Sequence, residues 1–526
     1  MADKYFMASL EDDDVEIAIP IIWGIDAVHG HANLKGAIIF PHNIGLGATN
    51  NPDLIEKIAE ITAYELTVSG HDWTFAPTLA IPKDIRWGRS YEGFSEDPNI
   101  VKSYGDRIVI GLQGQFGSEE FMGDGKVISS AKHFLADGAT VDGVDQGDAI
   151  ISEKELSEVH AAGYYSSIPA GVQTIMASFS SWKGRKLHGD KELLTVILKG
   201  KMGFNGFIVG DWNGHGQVPG CINTDCPQSL NAGLDMYMAP DSWKGLYEST
   251  LKHVKNGTIS MERLDDAVRR ILRVKIASGI FEKGLPSSRL NAGDESKLAL
   301  PENRKIARSA VRESLVLLKN NNQTLPIDPS KNILVIGSEN HSGGLDFSTR
   351  GRAVTVIFGD GAGAAVISRE EDLTKGILSS HLHSEGKFAK DLALIGPNTN
   401  RWVNKIIKDN DPDDISYYPY MNGQLVFKNA IVRFSEVIME GLNKNNLQPD
   451  QIDMLIPHQA NLRISQFVQK KFGLSDDQVY NNIQKYGNTT AGSIPIALTE
   501  AWQEGKINSG DIVVLAAFGS GFTWGS

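Results

Sequence analysis

The sequence predicts an α/β chain. Its larger part, from Ala18 to about Lys319, is expected to be a parallel sheet closed into a (β/α)8 TIM-type barrel, short of strands at its N-terminal end. Three observations predict this. Short apolar runs alternate with amphipathic stretches, polar residues gather where the runs end, and no glycine-rich turn follows the first run as an open doubly wound sheet would require.

The runs, in order, are "IPIIWGID" from Ile19, "WTFAPTLA" from Trp73, "VISSAKHF" from Val127, "TIMASFSS" from Thr174, "FNGFIVGDW" from Phe204 and "LDMYMAP" from Leu234. Between them lie "NPDLIEKIAEITAYELTVSG" from Asn51 and "MERLDDAVRRILRVKIASGIF" from Met261, whose apolar residues recur at the three- and four-residue spacing of a helix. Six runs fall short of the eight a closed barrel needs, so the barrel is expected to be incomplete at its N-terminus. An unclosed edge of this kind invites association.

A chain of 526 residues is too long for one core, which points to about two to four domains. Hydrophobic residues at 41% and charged residues at 22% are ordinary for a globular protein. The formal charge of −13 and the lack of a basic run argue against a nucleic-acid surface. No apolar stretch has membrane-spanning length, so no membrane partner is expected. The N-terminal "MADKYFMASLEDDDVEIAIP" is acidic where a secretory signal needs a basic start and an apolar core, so the expected location is cytoplasmic. Cys221 and Cys226 stand in one loop, without a His or Cys pair at zinc spacing, and read as free thiols or a local disulfide with no catalytic role. No metal or cofactor is expected.

Asp26, Lys132, His133, Met176 and Asp211 all fall where an apolar run ends. In a barrel those ends converge on one site. Taken singly each has a plainer reading. Asp211 alone reads as a helix N-cap, and Lys132–His133 alone as surface.

The ordered set carries more. "GIDAVHGHANLKGAIIFPHNIGLGAT" from Gly24, "RWGRSYEGFSEDP" from Arg86, "AKHFLADG" from Ala131 and "GFIVGDWNGHGQVPGC" from Gly206 resemble glycoside hydrolase family 3, in its beta-glucosidase and exo-glucanase branch. The resemblance runs from about Ile19 to about Pro326. It implies that Asp211 is the catalytic nucleophile of a retaining beta-glucosidase acting on a beta-glucoside or beta-glucan oligosaccharide. It further implies that Asp26, Arg89, Lys132 and His133 hold the hydroxyls of the sugar in the −1 subsite, that Met176 lies beside that pocket, and that Trp212 stacks on the next sugar. These types suit the chemistry: a carboxylate to attack the anomeric carbon, charged groups to grip hydroxyls, and an indole face for the C–H side of a pyranose. Phe179 stands where many relatives carry Tyr, at the cost of one hydroxyl contact. Fewer residues precede "GIDAVHG" than in most of the family. Glu92 and Glu96 are near enough in sequence to approach the pocket, with no pattern giving either a role.

"ARSAVRESLVLLKNNNQTLPIDPSKN" from Ala307 matches the family's entry to a second domain, which in relatives donates the general-acid glutamate; after Gly337 the pattern changes. "FGDGAGAAV" from Phe358, "LIPHQANLRI" from Leu455, "YGNTTAGSIPIALTEAW" from Tyr486 and the final "LAAFGSGFTWGS" resemble the C-terminal half of beta-ketoacyl-acyl-carrier-protein synthase III, of the thiolase-like superfamily. That resemblance implies a thiolase-like α/β half-domain with the synthase histidine and asparagine at His458 and Asn488. The synthase's cysteine has no counterpart, so these two residues are expected to be vestigial. Gly359, Gly361 and Ala364 formally fit a dinucleotide fingerprint, but "AAVISREED" after them reads as a short strand and turn, not the helix that fingerprint must open.

The expected organisation is a barrel domain over 1–326, a linker and seam over 327–337, and a synthase-type domain over 338–526. The foremost functional reading is a beta-glucosidase impaired by loss of its acid/base domain. The alternatives are an acyltransferase fragment, for which acyl carrier protein would be a partner, and an inactive chimera. Half of a duplicated fold also leaves apolar surface bare, through which self-association is expected.

Overall fold

All six apolar runs become strands or strand-like backbone, side by side in chain order. A computed structural model describes residues 2–11, 17–321, 325–328, 330–372, 374–396, 416 and 418–526. The chain divides into two compact units, Met1–Leu318 and Lys319–Ser526.

In the first unit a short helix, α1 (Ala2–Ala8), precedes β1 (Gly24–Ile25). Then come α2 (Pro52–Val68), β2 (Trp73–Thr74), α3 (Pro98–Gln113), β3 (Ile128–Phe134), β4 (Thr174–Ala177), β5 (Phe207–Val209) and α4 (Met261–Ala277). The five strands form one parallel sheet in sequence order, with Ile175 opposite both Ala131 and Ile208. Met236, from the sixth run, extends it through a parallel bridge to Val209. β3 and β4 are buried along their whole length, as strands covered on both faces must be.

Helix starts follow local chemistry. The Asn51 side chain accepts from Leu54 N–H ahead of Pro52, and Asp97 accepts from Asn99 N–H ahead of Pro98. Ser260 accepts from Arg263 N–H at the start of α4. Leu54, Ile58 and Leu66 of α2 pack with Val101, Ile108 and Leu112 of α3 over the sheet. Each such side chain contributes about 1.5–3 kcal/mol by leaving water.

The (β/α)8-type barrel, expected to be short of strands at its N-terminal end, is an open parallel sheet among the described residues, and no closed barrel forms. These residues hold an arc of five parallel strands and one bridge. The segment ahead of β1 makes a helix, and after Met236 no further described strand of this unit joins the sheet. α4 packs on the inner side of the arc. Its Ile271 and Val274 join Trp73, Ile128, Met176 and Phe207 on the inner face, with Ile22 and Met236 packed alongside. Lys275 Nζ ties α4 to Pro20 O at 2.6 Å. Packing a helix there takes the apolar inner face out of water, while the edge strands' backbone groups gain no strand partner from it.

In the second unit, β6 (Ile333–Glu339) and β7 (Gly361–Ile367) form an antiparallel pair. "GDGAGA" therefore leads into a ladder strand, and no phosphate-binding helix opens there. A four-stranded sheet combines β8 (Leu382–Ser384), β9 (Met454–Pro457), β10 (Val513–Gly519) and β11 (Thr523–Gly525) in the order β8–β11–β10–β9, with only β9 and β10 parallel. α5 (Gly423–Lys444) and α6 (Leu462–Phe472) cover it through Phe434, Ile438, Ile464 and Val468. α7 (Ser493–Gln503) sends Ala497 and Ala501 against Met454 and Ile456. Gly337 is needed on β6, since a Cβ there would lie 2.1 Å from Ala491 O. Leu334, Ile336 and Val366 share one face of the β6–β7 pair and are 58%, 64% and 65% exposed.

Candidate active site

Parallel strands present their C-terminal ends to one side, and there the first unit opens a cavity of about 450 Å³. Asp26 follows β1, Arg89 comes from the loop after β2, Lys132 and His133 lie at the end of β3, Met176 is in β4, and Asp211 with Trp212 follows β5. All seven line this cavity. Trp212 stands at its mouth, 60% exposed.

Charge pairs organise the wall. Lys132 Nζ meets Asp26 Oδ1 at 2.5 Å. Arg89 forks onto Glu92, with Nε to Oε1 at 2.7 Å and the terminal NH2 to Oε2 at 2.8 Å. Burial opposes the charge on Glu92, but Arg89 outweighs it and holds the carboxyl below its ordinary range. Glu92 is thus a lining residue locked as an anion, while Glu96 is not among the lining residues.

Asp211 is held differently. Its Oδ1 accepts from Trp212 N–H at 2.7 Å, Oδ2 lies 3.6 Å from His133 Nε2, and its backbone N–H donates to His188 Nε2 at 2.9 Å. Burial pushes its pKa above the usual aspartate value, partly offset by the Trp212 N–H that it accepts. His188 is fully packed, and that burial drops its pKa to about 3. It is therefore a neutral imidazole whose Nδ1–H donates to Ser178 O at 2.8 Å.

The cavity's other wall comes from "VHGHAN" and its neighbours. His29 and His42 stack at 3.8 Å, His42 meets Tyr91 edge-on at 4.5 Å, and all three line the site. Gly30 makes the turn possible at φ +107°, where a Cβ would come within 2.1 Å of Ile38 O. Sequence reasoning missed His29, His42, Tyr91 and Met238 as lining residues, and His188, Ser178 and Asp137 behind them. Several lay inside the motifs already singled out. Phe179 is not among the lining residues; its ring sits 5.9 Å from His188.

Cys221 and Cys226, left open between thiols and a local bridge, form a disulfide. Among the described residues no group of three or more His, Cys, Asp or Glu is placed to hold a metal ion. No described helix is long and apolar enough to cross a membrane.

In the second unit, His458 Nδ1 faces Ser493 Oγ at 2.6 Å, and Asn488 Oδ1 accepts from Thr490 N–H at 2.9 Å. Burial lowers the pKa of His458 to about 4. The 488–493 turn thus carries both contacts. No cysteine lies in this unit.

Comparison with known proteins divides the chain the same way. Residues 4–274 match the glycosyl hydrolase family 3 N terminal domain. Residues 314–386 match 3-oxoacyl-[acyl-carrier-protein] synthase III, and 442–526 match its C terminal domain. A periplasmic beta-glucosidase of Salmonella typhimurium is 32% identical over 335 residues, 61% of this chain and 41% of that protein. A beta-ketoacyl-[acyl-carrier-protein] synthase III of Psychromonas ingrahamii is 42% identical over 197 residues, 38% of this chain and 58% of that protein. The crystal structure of an exo-1,3/1,4-beta-glucanase from a Pseudoalteromonas species superposes with a TM-score of 0.60 at 50% identity, covering 62% of this chain and 41% of that one. The chain therefore spans about two fifths of its glucosidase-type relatives and under two thirds of the synthase.

Proposed function

The chain belongs to glycosyl hydrolase family 3, with synthase III segments joined to it, and on that premise we propose that its first unit is a retaining beta-glucosidase acting through Asp211. The substrate is a terminal beta-glucosyl residue of a glucoside or beta-glucan oligosaccharide. The observation that carries the reading is the convergence of Asp26, Arg89, Lys132, His133 and Asp211 on one cavity at the strand ends. In this reading the Asp211 carboxylate attacks the anomeric carbon and forms a glycosyl ester, which water then hydrolyses. The charged wall grips the hydroxyls, most tightly in the oxocarbenium-like transition state. Trp212 gives the aglycone side an apolar face. In place of the barrel of such enzymes the unit has an open arc with α4 packed on its inner side, and the domain that carries the acid/base glutamate in relatives is replaced by the synthase segment.

Treating the whole chain with a 2-deoxy-2-fluoro-glucosyl inactivator and mapping the labelled peptide by mass spectrometry tests this. A label on the peptide containing Asp211 is expected; label elsewhere, or none, would overturn it. The pH dependence of labelling follows from Asp211. Only the ionised carboxylate attacks, and burial raises its pKa, so the labelling rate is expected to fall as pH drops through a midpoint above that of an ordinary aspartate. A rate that stays flat through the ordinary aspartate range would contradict this.

The second unit is proposed to be silent as a synthase. Condensation needs a thiolate to hold the acyl group, and both cysteines of the chain are tied to each other in the first unit. His458 and Asn488 would at most assist decarboxylation of a malonyl thioester. Acetyl-coenzyme A and malonyl-acyl-carrier protein are expected to give no acetoacetyl product; product above a no-enzyme control by mass spectrometry would refute it.

A further inference from the structure

Behind the cavity wall sits a carboxylate that the proposed chemistry does not use. Asp137 follows β3 on a short 3-10 turn and is 6% exposed. Its Oδ2 lies 2.5 Å from His133 Nδ1, off the straight line of an ideal hydrogen bond, and its Oδ1 accepts the Ser178 hydroxyl. On the far edge of the same imidazole, Nε2 lies 3.2 Å from the terminal NH2 of Arg89. A guanidinium can only donate, so a hydrogen bond in this contact takes the Nε2 lone pair and puts the ring proton on Nδ1, against Asp137; the acceptor on the same side, Asp211 Oδ2, is 3.6 Å from Nε2 and beyond hydrogen-bond reach.

The plainer reading is a satisfied buried acid with a purely structural role. Two features favour more. Ser178 braces both halves of the site: its hydroxyl holds Asp137, and its carbonyl holds His188, which accepts the backbone N–H of Asp211. Further, the Arg89 contact exists only in the tautomer that Asp137 enforces. A histidine protonated on Nε2 would set N–H against N–H at Arg89.

We propose that Asp137 is a positioning residue of the sugar subsite, fixing the Nδ1–H tautomer of His133 so that Nε2 stays an acceptor toward Arg89 and a bound hydroxyl. The kinetic part of this rests on the glucosidase reading; the tautomer part does not. The charged and titratable groups facing His133 are Arg89, Glu92, Lys132, Asp137, Asp211 and His188, and Asp137 itself faces His160 and Tyr164 besides.

The test uses the full chain with 15N-labelled histidine rings, assigns His133 by comparison with His133→Gln, and reads which ring nitrogen is protonated near neutral pH. Wild type is expected to show Nδ1–H at His133. Asp137→Asn, whose amide can turn N–H toward the ring, is expected to shift His133 toward Nε2–H and leave the other imidazoles alone. In parallel, the rate of Asp211 labelling in Asp137→Asn should fall by roughly 10- to 100-fold, the range found when a metal-bound histidine loses its outer-shell carboxylate, taken here as the scale for a mis-set imidazole. An Nε2–H ring in wild type, or an unchanged ring in Asp137→Asn, overturns the proposal. If wild type takes no label, the glucosidase reading has failed, and the nitrogen spectra still decide the tautomer. Should Asp137→Asn not fold, Ser178→Ala decides: mixed tautomers at His133 support the proposal and an unchanged pattern overturns it.

Discussion

Asp211→Ala is expected to lose hydrolysis of aryl glucosides by roughly 10⁴-fold or more, and to take no fluoro-sugar label, while melting within a few degrees of wild type. On the proposed reading of Asp211 as nucleophile, the loss is large because the substitution removes the covalent step and leaves only positioning and electrostatics. The fold should tolerate it. The carboxylate's ties to protein are one N–H bond from Trp212 and a 3.6 Å approach to His133, so no buried charge loses its only partner. Its backbone N–H, which His188 accepts, is unchanged by alanine. Burial also raises the pKa of Asp211, so its ionised form is already disfavoured in the fold, and removing it costs stability little. Initial rates and differential scanning calorimetry on both proteins check this. Residual activity near wild type would show that another group is the nucleophile, and collapse of the melting transition would show that Asp211 is structural instead.

Much of this site was legible in the sequence because of one property of parallel sheets. Every strand's C-terminal end faces the same way, so Asp26, Lys132, His133, Met176 and Asp211, each at the end of an apolar run, had to meet if the runs formed one sheet. That the sheet would stay open was legible in its six runs, but what packs on its inner face was not. The spacing of Ile271 and Val274 marks α4 as amphipathic, but a periodic stripe does not say which face of a sheet it covers. The second layer was hidden for another reason. Asp137, Ser178 and His188 stand in no pattern that marks them, and their worth lies in partners 10 to 41 positions away. The one local hint was the acid four residues after His133 in "AKHFLADG". Glu92 shows the converse: its position was visible, but its lock onto Arg89, which strips it of any acid role, appears only in three dimensions.

That lock leads to the second large effect, a dependence on the leaving group. Cleaving cellobiose expels a sugar alkoxide that must be protonated as the bond breaks, and a missing general acid costs about 10²–10⁴-fold. A dinitrophenyl glucoside expels a stable phenolate and needs no proton. Retaining hydrolysis places the acid about 5 Å from the nucleophile. Among the described residues lining the cavity, the carboxyls besides Asp211 are Asp26 and Glu92. Asp26 is engaged by Lys132, and Glu92 is held ionised by Arg89, so the glutamate has no proton to give at neutral pH. His42 also lines the cavity, but burial and the neighbouring His29 lower its pKa, which leaves it neutral there as well. Dinitrophenyl glucoside is therefore expected to exceed cellobiose in kcat/KM by two or more orders of magnitude beyond the gap an intact acid would leave. The logarithm of the rate should fall steeply as leaving-group pKa rises along a series of aryl glucosides. A slope near zero, with cellobiose cleaved as readily as the activated aryl glucosides, would mean that a carboxyl group has taken over protonation, and Glu92→Gln would then tell whether it is the lining glutamate or one from elsewhere in the chain.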